Sequence, residues 1–285
     1  LLDGVRLAAE RAPRLASRYA AYVRRHGRPP GLALVAFESR PGYAPHVARK
    51  RRACAAVGLD VHAFILPGNA DEDRARDVIL AAAADPRTDA VFVQFPLAEG
   101  IDESAVFEAI VPAKDVDVLH PTSFESFLAH EDAHPPVTVG AGFMLLDRYD
   151  VGVANRTGIV VGAASPLTRA FEVVLARRGA TVLPGCAPTD PELAQQLAPA
   201  DLVFVVAGVP GVVAADAIAP GTVAVDVGYF NPGARGDIDV ASGTHHLAAI
   251  APVPGGIGPM TVSALIERTL DLAEEAERIE KSDEK

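Results

Sequence analysis

The chain has 285 residues, 49% of them hydrophobic, with 37 acidic against 26 basic side chains and a formal net charge of −11. Such an excess of carboxylates excludes a nucleic-acid partner, which needs clustered Lys and Arg, and the apolar content excludes global disorder. No apolar run approaches the ~20 residues of a membrane span, and the opening LLDGVRLAAERAPRL lacks a signal-peptide pattern; no membrane partner and a cytoplasmic location are expected. Cys54 and Cys186 are the only cysteines. Far apart and without a CxxC, they offer no metal or disulfide framework and read as small core residues.

Residues 5–25 repeat apolar side chains at helical spacing (Leu7, Leu15, Tyr19, Tyr22, Val23) until GRPPG breaks the pattern. LALVAF at 32–37 is strand-like. A helix over 45–57, a strand over 61–66, a helix over 71–84, a strand over 90–95 and a helix over 103–110 follow. Apolar runs alternating with amphipathic helices predict βαβ units on a parallel sheet. HEDAHPPVTVGAG (130–142) reads as a join, with a helix over 143–149 beyond it. A second series is expected from strand 158–162, helix 166–178 and strands 180–183, 201–208 and 222–228. The Pro/Gly-rich APVPGGIGPM then feeds a final helix that packs Leu265, Leu270 and Leu272. The fold class implied is α/β, two α/β lobes with a cleft between them.

Several side chains on this frame carry chemistry. His46 and Lys50, four apart on a predicted helix, share a face, and Arg49, Arg51 and Arg52 crowd the same turn. Cationic neighbours lower a lysine's proton affinity, which suits a base or proton shuttle; a solvated basic helix face is the plainer reading. Gln94 stands near the C-terminal end of an apolar strand, where ligands of open α/β sheets bind, although a core can satisfy an amide there as well. In KDVDV, Asp115 and Asp117 alternate at a strand end, so either faces the cleft or closes a turn.

LDG (2–4), KRRAC (50–54), VQFPL (93–97), KDVD (114–117), HP (120–121) and PVPGGIGPMTV (252–262) occur in this order. Together they resemble the methylenetetrahydrofolate dehydrogenase/cyclohydrolase family over essentially the whole chain. The resemblance implies a folate-binding catalytic domain of residues 1–135 plus 252–285 and a Rossmann-like, nominally NAD(P)-binding domain of residues 136–251. It also implies roles. Lys50 matches the catalytic lysine, Gln94 the glutamine that bonds and tunes it, and Asp117 the aspartate that holds the pterin ring. Pro254, Gly255 and Gly256 match the loop beside the folate and nicotinamide. His46 replaces the family's usual tyrosine in the catalytic set. The implied ligand is a tetrahydrofolate derivative, without a metal, in a homodimer.

The departures are as informative. Val118 stands where a glycine is expected after KDVD, HPTSFESF lacks the usual Asn and Gly, and TVGA (138–141) replaces Thr-Pro-x-Gly. After strand 158–162 the turn reads Gly162-Ala163-Ala164-Ser165-Pro166-Leu167-Thr168, with only Gly162 kept at the glycine positions. Side chains there block the approach of a pyrophosphate. PGCAPTD (184–190) lacks cations for a 2′-phosphate, and DVGYF (226–230) replaces DVG-Ile-Asn. Gly162 and Ser165 are left as cofactor-binding candidates, and binding of NADP or NAD is expected to be weak or lost. The expected function is therefore methenyltetrahydrofolate cyclohydrolase, yielding 10-formyltetrahydrofolate, with little or no methylenetetrahydrofolate dehydrogenase activity. The alternatives are the full bifunctional NAD(P)-dependent enzyme, or a repurposed relative that supplies a one-carbon unit to a specialised pathway.

Overall fold

Apolar runs with no polar alternation make parallel strands covered on both faces, and the chain builds two such sheets. The computed structural model describes residues 1–38, 43–95, 97–230 and 233–283, with side chains for all of these except 43, 45, 46 and 280–283. In chain order the elements are α1 (Gly4–His26), β1 (Gly31–Phe37), α2 (Tyr43–Val57), β2 (Asp60–Leu66), α3 (Glu72–Ala84), β3 (Ala90–Val93), α4 (Glu103–Glu108), α5 (Pro121–Ala129) and α6 (Val137–Arg148). There follow β4 (Thr157–Val161), α7 (Pro166–Arg177), β5 (Thr181–Val182), α8 (Leu193–Leu197), β6 (Leu202–Val205), β7 (Val213–Ala214), β8 (Val223–Asp226), β9 (Ile238–Asp239), β10 (Ala249–Ala251) and α9 (Ile257–Asp283). The chain divides into two compact units, Leu1–Glu10 with His130–Thr261 and Arg11–Ala129 with Val262–Lys285. Among the described residues no helix is long and apolar enough to cross a membrane.

In the unit built on 11–129, β1 lies between β2 and β3, parallel to both. All seven β1 residues are buried, as a central strand requires. α3 packs Ala75, Ile79 and Ala82 into the cluster that holds Val35, Val91 and Val93. Asp71 caps its first turn by accepting from the Arg74 N–H, and Lys114 Nζ closes its last by donating to Ala83 O at 2.7 Å. The later turns of α1 are tied to α9: Arg18 reaches Asp271 and Glu274, each at 2.8 Å, and the Tyr19 hydroxyl donates to Ile266 O at 2.6 Å.

Among the described residues the other unit holds a sheet of five parallel strands in the order β10-β8-β6-β4-β5 and a separate parallel pair, β7-β9. Strand order reverses between β4 and β6, and in such sheets the crevice outside the carboxyl ends at that point is the ligand position. Phe143 of α6, Phe171 of α7 and Phe204 of β6 pack as a tilted aromatic trio with centroids 5.0–6.3 Å apart. The first residues belong to this unit: Leu2 N–H donates to Ile250 O, and Gly4 and Val5 N–H both donate to Gly255 O. A Cβ on Gly4 would lie 1.8 Å from Gly256 O, so only glycine permits that approach. The LDG and PVPGG motifs are thereby joined through their backbones.

Alternation of strands and helices agrees with the sequence-based expectation, and three particulars differ. The stretch 130–142 is not all connection, since α6 starts at Val137. Strands expected over 201–208 and 222–228 are the shorter β6 and β8, because beyond them the N–H groups of Ala207, Gly208 and Gly228 bond to aspartate side chains and not to a neighbouring strand. Finally, α5, α8, β7, β9 and β10 were not anticipated.

Candidate active site

α2 and β3 set the geometry around Lys50. The residue is only 8% exposed, unlike Arg49, Arg51 and Arg52, which point outward from the same helix. The basic stretch is thus a solvated face with its one lysine turned inward. Lys50 Nζ donates to Gln94 Oε1 at 2.5 Å and stands 5.1 Å from the centroid of the Phe92 ring, a favourable position for a cation. Gln94 follows β3, its N–H held by Val35 O at 2.8 Å. Its side-chain Nε2 donates to Phe95 O at 2.7 Å, which leaves Oε1 to face the lysine.

The Lys50 pKa is lowered to about 8, by burial first and by the charge of Arg49 second, against the opposing charge of Asp117. The sequence attributed the shift to the surrounding arginines. Desolvation is the larger cause, and of the three arginines only Arg49 contributes. Cys54, one turn further along α2, is buried and its thiol is pushed up to about 12, so it is an inert neighbour.

The loop after β3 separates the two aspartates. Asp115 is buried, its backbone bridges to Val91, and its Oδ2 accepts from His120 N–H at 2.8 Å. It closes the turn before α5. Asp117 is partly exposed and electrostatically coupled to Lys50. Between them and α5 lies Val118, buried and at φ 57°, a left-handed conformation that a β-branched residue seldom adopts. Lys50, Gln94 and Asp117 thus form one constellation. His46 cannot be placed in it, because its side chain lies outside the described residues. Pro254, Gly255 and Gly256 belong to the other unit, where Gly255 adopts φ 104° and Gly256 N–H donates to Pro252 O at 2.7 Å.

In that unit Gly162 directly follows β4, at the point where strand order reverses. A Cβ there would lie 2.3 Å from Val206 O, so the glycine is required by the neighbouring strand and leaves no open cradle. Ser165 is the N-cap of α7, and its hydroxyl and that of Thr168 form a reciprocal capping box. Ala163, Ala164 and Ser165 are exposed. The α7 N-terminus fits the pyrophosphate of a dinucleotide through its dipole, and side-chain donors add little. Two carboxylates escaped the sequence reading, Asp226 and Asp237, both fully buried at the carboxyl-end loops of this sheet. Acids set among apolar residues, one in AVDVG and two in GDIDV, were the available signal. Among the described residues no His/Cys/Asp/Glu group is arranged to hold a metal.

Residues 2–117 match the pattern of the tetrahydrofolate dehydrogenase/cyclohydrolase catalytic domain, and residues 136–277 that of the family's NAD(P)-binding domain. A Salinispora arenicola relative named bifunctional protein FolD 1 is 37% identical over 274 residues, covering 96% of this chain and 98% of its own. The chain belongs to the tetrahydrofolate dehydrogenase/cyclohydrolase family. A second relative, bifunctional protein FolD 1 of Streptomyces avermitilis, is 34% identical and covers 96% of this chain and 94% of its own. Among solved structures, the Trypanosoma brucei methylenetetrahydrofolate dehydrogenase-cyclohydrolase, complexed with NADP and an inhibitor, superposes with TM-score 0.89 at 29% identity, covering 97% of each chain. The bifunctional FolD of Campylobacter jejuni gives 0.87 at 28%, covering 97% and 99%. The resemblance drawn from motifs therefore holds, and this is an enzyme of folate one-carbon metabolism. The match to an NAD(P)-binding domain does not support the expectation that dinucleotide binding is lost.

Proposed function

We propose that the protein is a bifunctional enzyme that oxidises 5,10-methylenetetrahydrofolate with NAD(P) and hydrolyses the 5,10-methenyl product to 10-formyltetrahydrofolate. The observation that carries this reading is the buried Lys50–Gln94 pair beside Asp117. Relatives named as bifunctional, aligned over nearly the whole chain, support both halves. In this reading residues 1–135 with 252–285 handle the folate, residues 136–251 hold the dinucleotide, and two copies form the working enzyme.

Hydrolysis needs water to add to the electrophilic carbon between N5 and N10. Lys50 in its neutral form accepts the proton that this water loses, and the resulting ammonium returns a proton to N5 as the C–N5 bond breaks. The carbinol oxygen gives its remaining proton to solvent as the carbonyl forms, the one proton that the overall reaction releases, and the formyl group remains on N10. Gln94 steadies the ammonium through Oε1 without adding a charge that would trap the proton. Asp117 offers a carboxylate to the donors of the pterin ring, a charge-assisted and directional contact. When bound, the dinucleotide supplies the hydride acceptor for the preceding oxidation. Gly162–Ser165 and the α7 N-terminus are the residues that would hold its pyrophosphate.

A second reading, hydrolysis with attenuated oxidation, is favoured by one observation: at the α7 turn the Ser165 and Thr168 hydroxyls are engaged with one another, and residues 162–168 include no cation. Two assays on the purified protein separate the readings. Loss of methenyltetrahydrofolate absorbance and reduction of NAD or NADP by methylenetetrahydrofolate are both expected. Hydrolysis alone establishes the second reading, and the absence of both activities overturns the assignment.

A further inference from the structure

The hydrolytic constellation does not use the buried acids of the other unit. Asp237 Oδ2 accepts from the N–H groups of Ala207 at 2.7 Å and Gly208 at 3.2 Å, and its Oδ1 from that of Val209 at 2.9 Å. Asp226 Oδ1 accepts from Gly228 N–H at 3.1 Å and Asp237 N–H at 2.9 Å, and its Oδ2 from Ile238 N–H at 3.0 Å. Each carboxylate thus fills a concavity of three backbone donors, the arrangement that elsewhere receives an external anion. The two are linked in series: Asp226 grips the backbone of Asp237, whose side chain grips residues 207–209.

No slack surrounds the pair. A Cβ on Gly228 would lie 2.4 Å from Asp237 Cγ, and one on Gly236 would lie 1.9 Å from Asp226 Oδ2. Burial raises the proton affinity of both acids, Asp226 to about 7, against the opposing pull of the N–H groups. Such a buried acid is a costly way to stabilise a fold, since apolar residues of similar size commonly do as well. Its return is directional: six backbone donors are fixed, three in the loop after β6, one in the loop after β8 and two where the chain enters β9.

Those loops matter by position. Residues 206–209 follow β6 and residues 227–230 follow β8, at the same carboxyl edge of the sheet as Gly162. Val209 is 47% exposed, Tyr229 and Phe230 are partly exposed, and Phe230 pairs with Arg235 through two backbone hydrogen bonds. Because Asp237 engages the N–H groups of 207–209, this rim meets a ligand with apolar and aromatic side chains. A flat, weakly polar ring suits it better than a phosphate.

We infer that Asp226 and Asp237 are positioning residues for the dinucleotide, a linked carboxylate clamp that sets the β6 and β8 loops against its nicotinamide end. The choice of ligand rests on the bifunctional reading; the clamp itself does not. The full-length Asp237→Asn variant preserves size but turns an NH2 toward backbone donors. Its dinucleotide KM in the oxidation is expected to rise about tenfold or more, the scale of a lost charged hydrogen bond. Hydrolysis of methenyltetrahydrofolate should be unchanged, and amide exchange at 207–209 should accelerate. Should that variant fold poorly, Asp226→Asn, one link further from the rim, is expected to raise the same KM by a smaller factor. An unchanged dinucleotide KM in a folded variant, or hydrolysis falling in step with oxidation, overturns the inference. A wild-type protein that hydrolyses its substrate yet neither reduces nor binds a dinucleotide sinks the bifunctional reading, and the ligand assigned here with it. Exchange at 207–209 then still decides whether the clamp exists.

Discussion

Gln94 presents its oxygen to Lys50 because its own nitrogen is committed to the carbonyl of Phe95. The lysine is therefore held by a neutral acceptor in a buried setting and keeps a proton affinity that it can surrender. Lys50→Met removes the proposed proton carrier and keeps the length of the side chain. Hydrolysis of methenyltetrahydrofolate should fall by about 10²–10⁴-fold, the range of general acid–base catalysis, followed as absorbance decay. Thermal stability should not fall, because the methionine carries no buried charge. A variant that hydrolyses as fast as wild type would remove Lys50 from the mechanism.

The pH profile follows from the same burial. With its pKa lowered to about 8, Lys50 has on the order of several hundredfold more neutral amine at pH 7 than an exposed lysine. The hydrolysis rate should rise with pH and level off above about 8. Removing the Arg49 charge takes away one lowering influence, so Arg49→Gln should move the inflection upward. Linkage sets the sign for stability. Between about 8 and the ordinary lysine value the unfolded chain binds more protons at this residue, so its contribution to stability rises with pH through that window. Below about 8 the buried ammonium is a standing cost. Rate and urea-unfolding profiles of wild type, Arg49→Gln and Lys50→Met check both signs.

How much of this was legible depended on the scale of the signal. The alternation of apolar runs and helical spacing marked both sheets because strands such as β1 are buried on both faces and admit no polar residue. α6 was hidden at its start by Pro135, Pro136 and the glycines of 140–142, which locally read as a loop. Tertiary packing explains Gly142: a Cβ there would come within 3.2 Å of Phe171 and 3.3 Å of Ile257. At the site, residue types raised Lys50, Gln94 and either Asp115 or Asp117, and the family resemblance selected Lys50, Gln94 and Asp117, whereas the inward turn of one lysine within KRR was beyond reach. Helical spacing places a residue on a face without saying which face is covered. The tie from Asp226 to Asp237 spans 11 residues and runs through backbone donors, which carry no sequence signature.

Val118 offers a test of backbone strain beside Asp117. Its left-handed conformation costs a β-branched residue about 1–2 kcal/mol, offset by about 1.5–3 kcal/mol from burying the side chain. Alanine would lose most of the burial and keep the strain, while glycine would lose slightly more burial and shed the strain. Val118→Gly should therefore be at least as stable as Val118→Ala, inverting the usual order in which glycine is worse by about 0.5–1 kcal/mol. Chemical denaturation of the two variants measures it. A glycine variant clearly weaker than the alanine one would show that the left-handed conformation is not retained in solution.

Gly162 and Ala163 are adjacent but should respond to substitution in opposite ways. At Gly162 an added methyl would meet the carbonyl of Val206, a backbone atom that cannot swing aside. Gly162→Ala should cost about 1–3 kcal/mol, the scale of overpacking, and lower the melting temperature by several degrees. Ala163 is exposed and closes no contact of that kind. Ala163→Gly should leave the fold nearly unchanged and open the turn to closer approach by a pyrophosphate, tightening dinucleotide binding. Scanning calorimetry reads the first change and titration with NADP the second. If Gly162→Ala melts with wild type while losing dinucleotide affinity, the glycine serves the ligand and not the neighbouring strand.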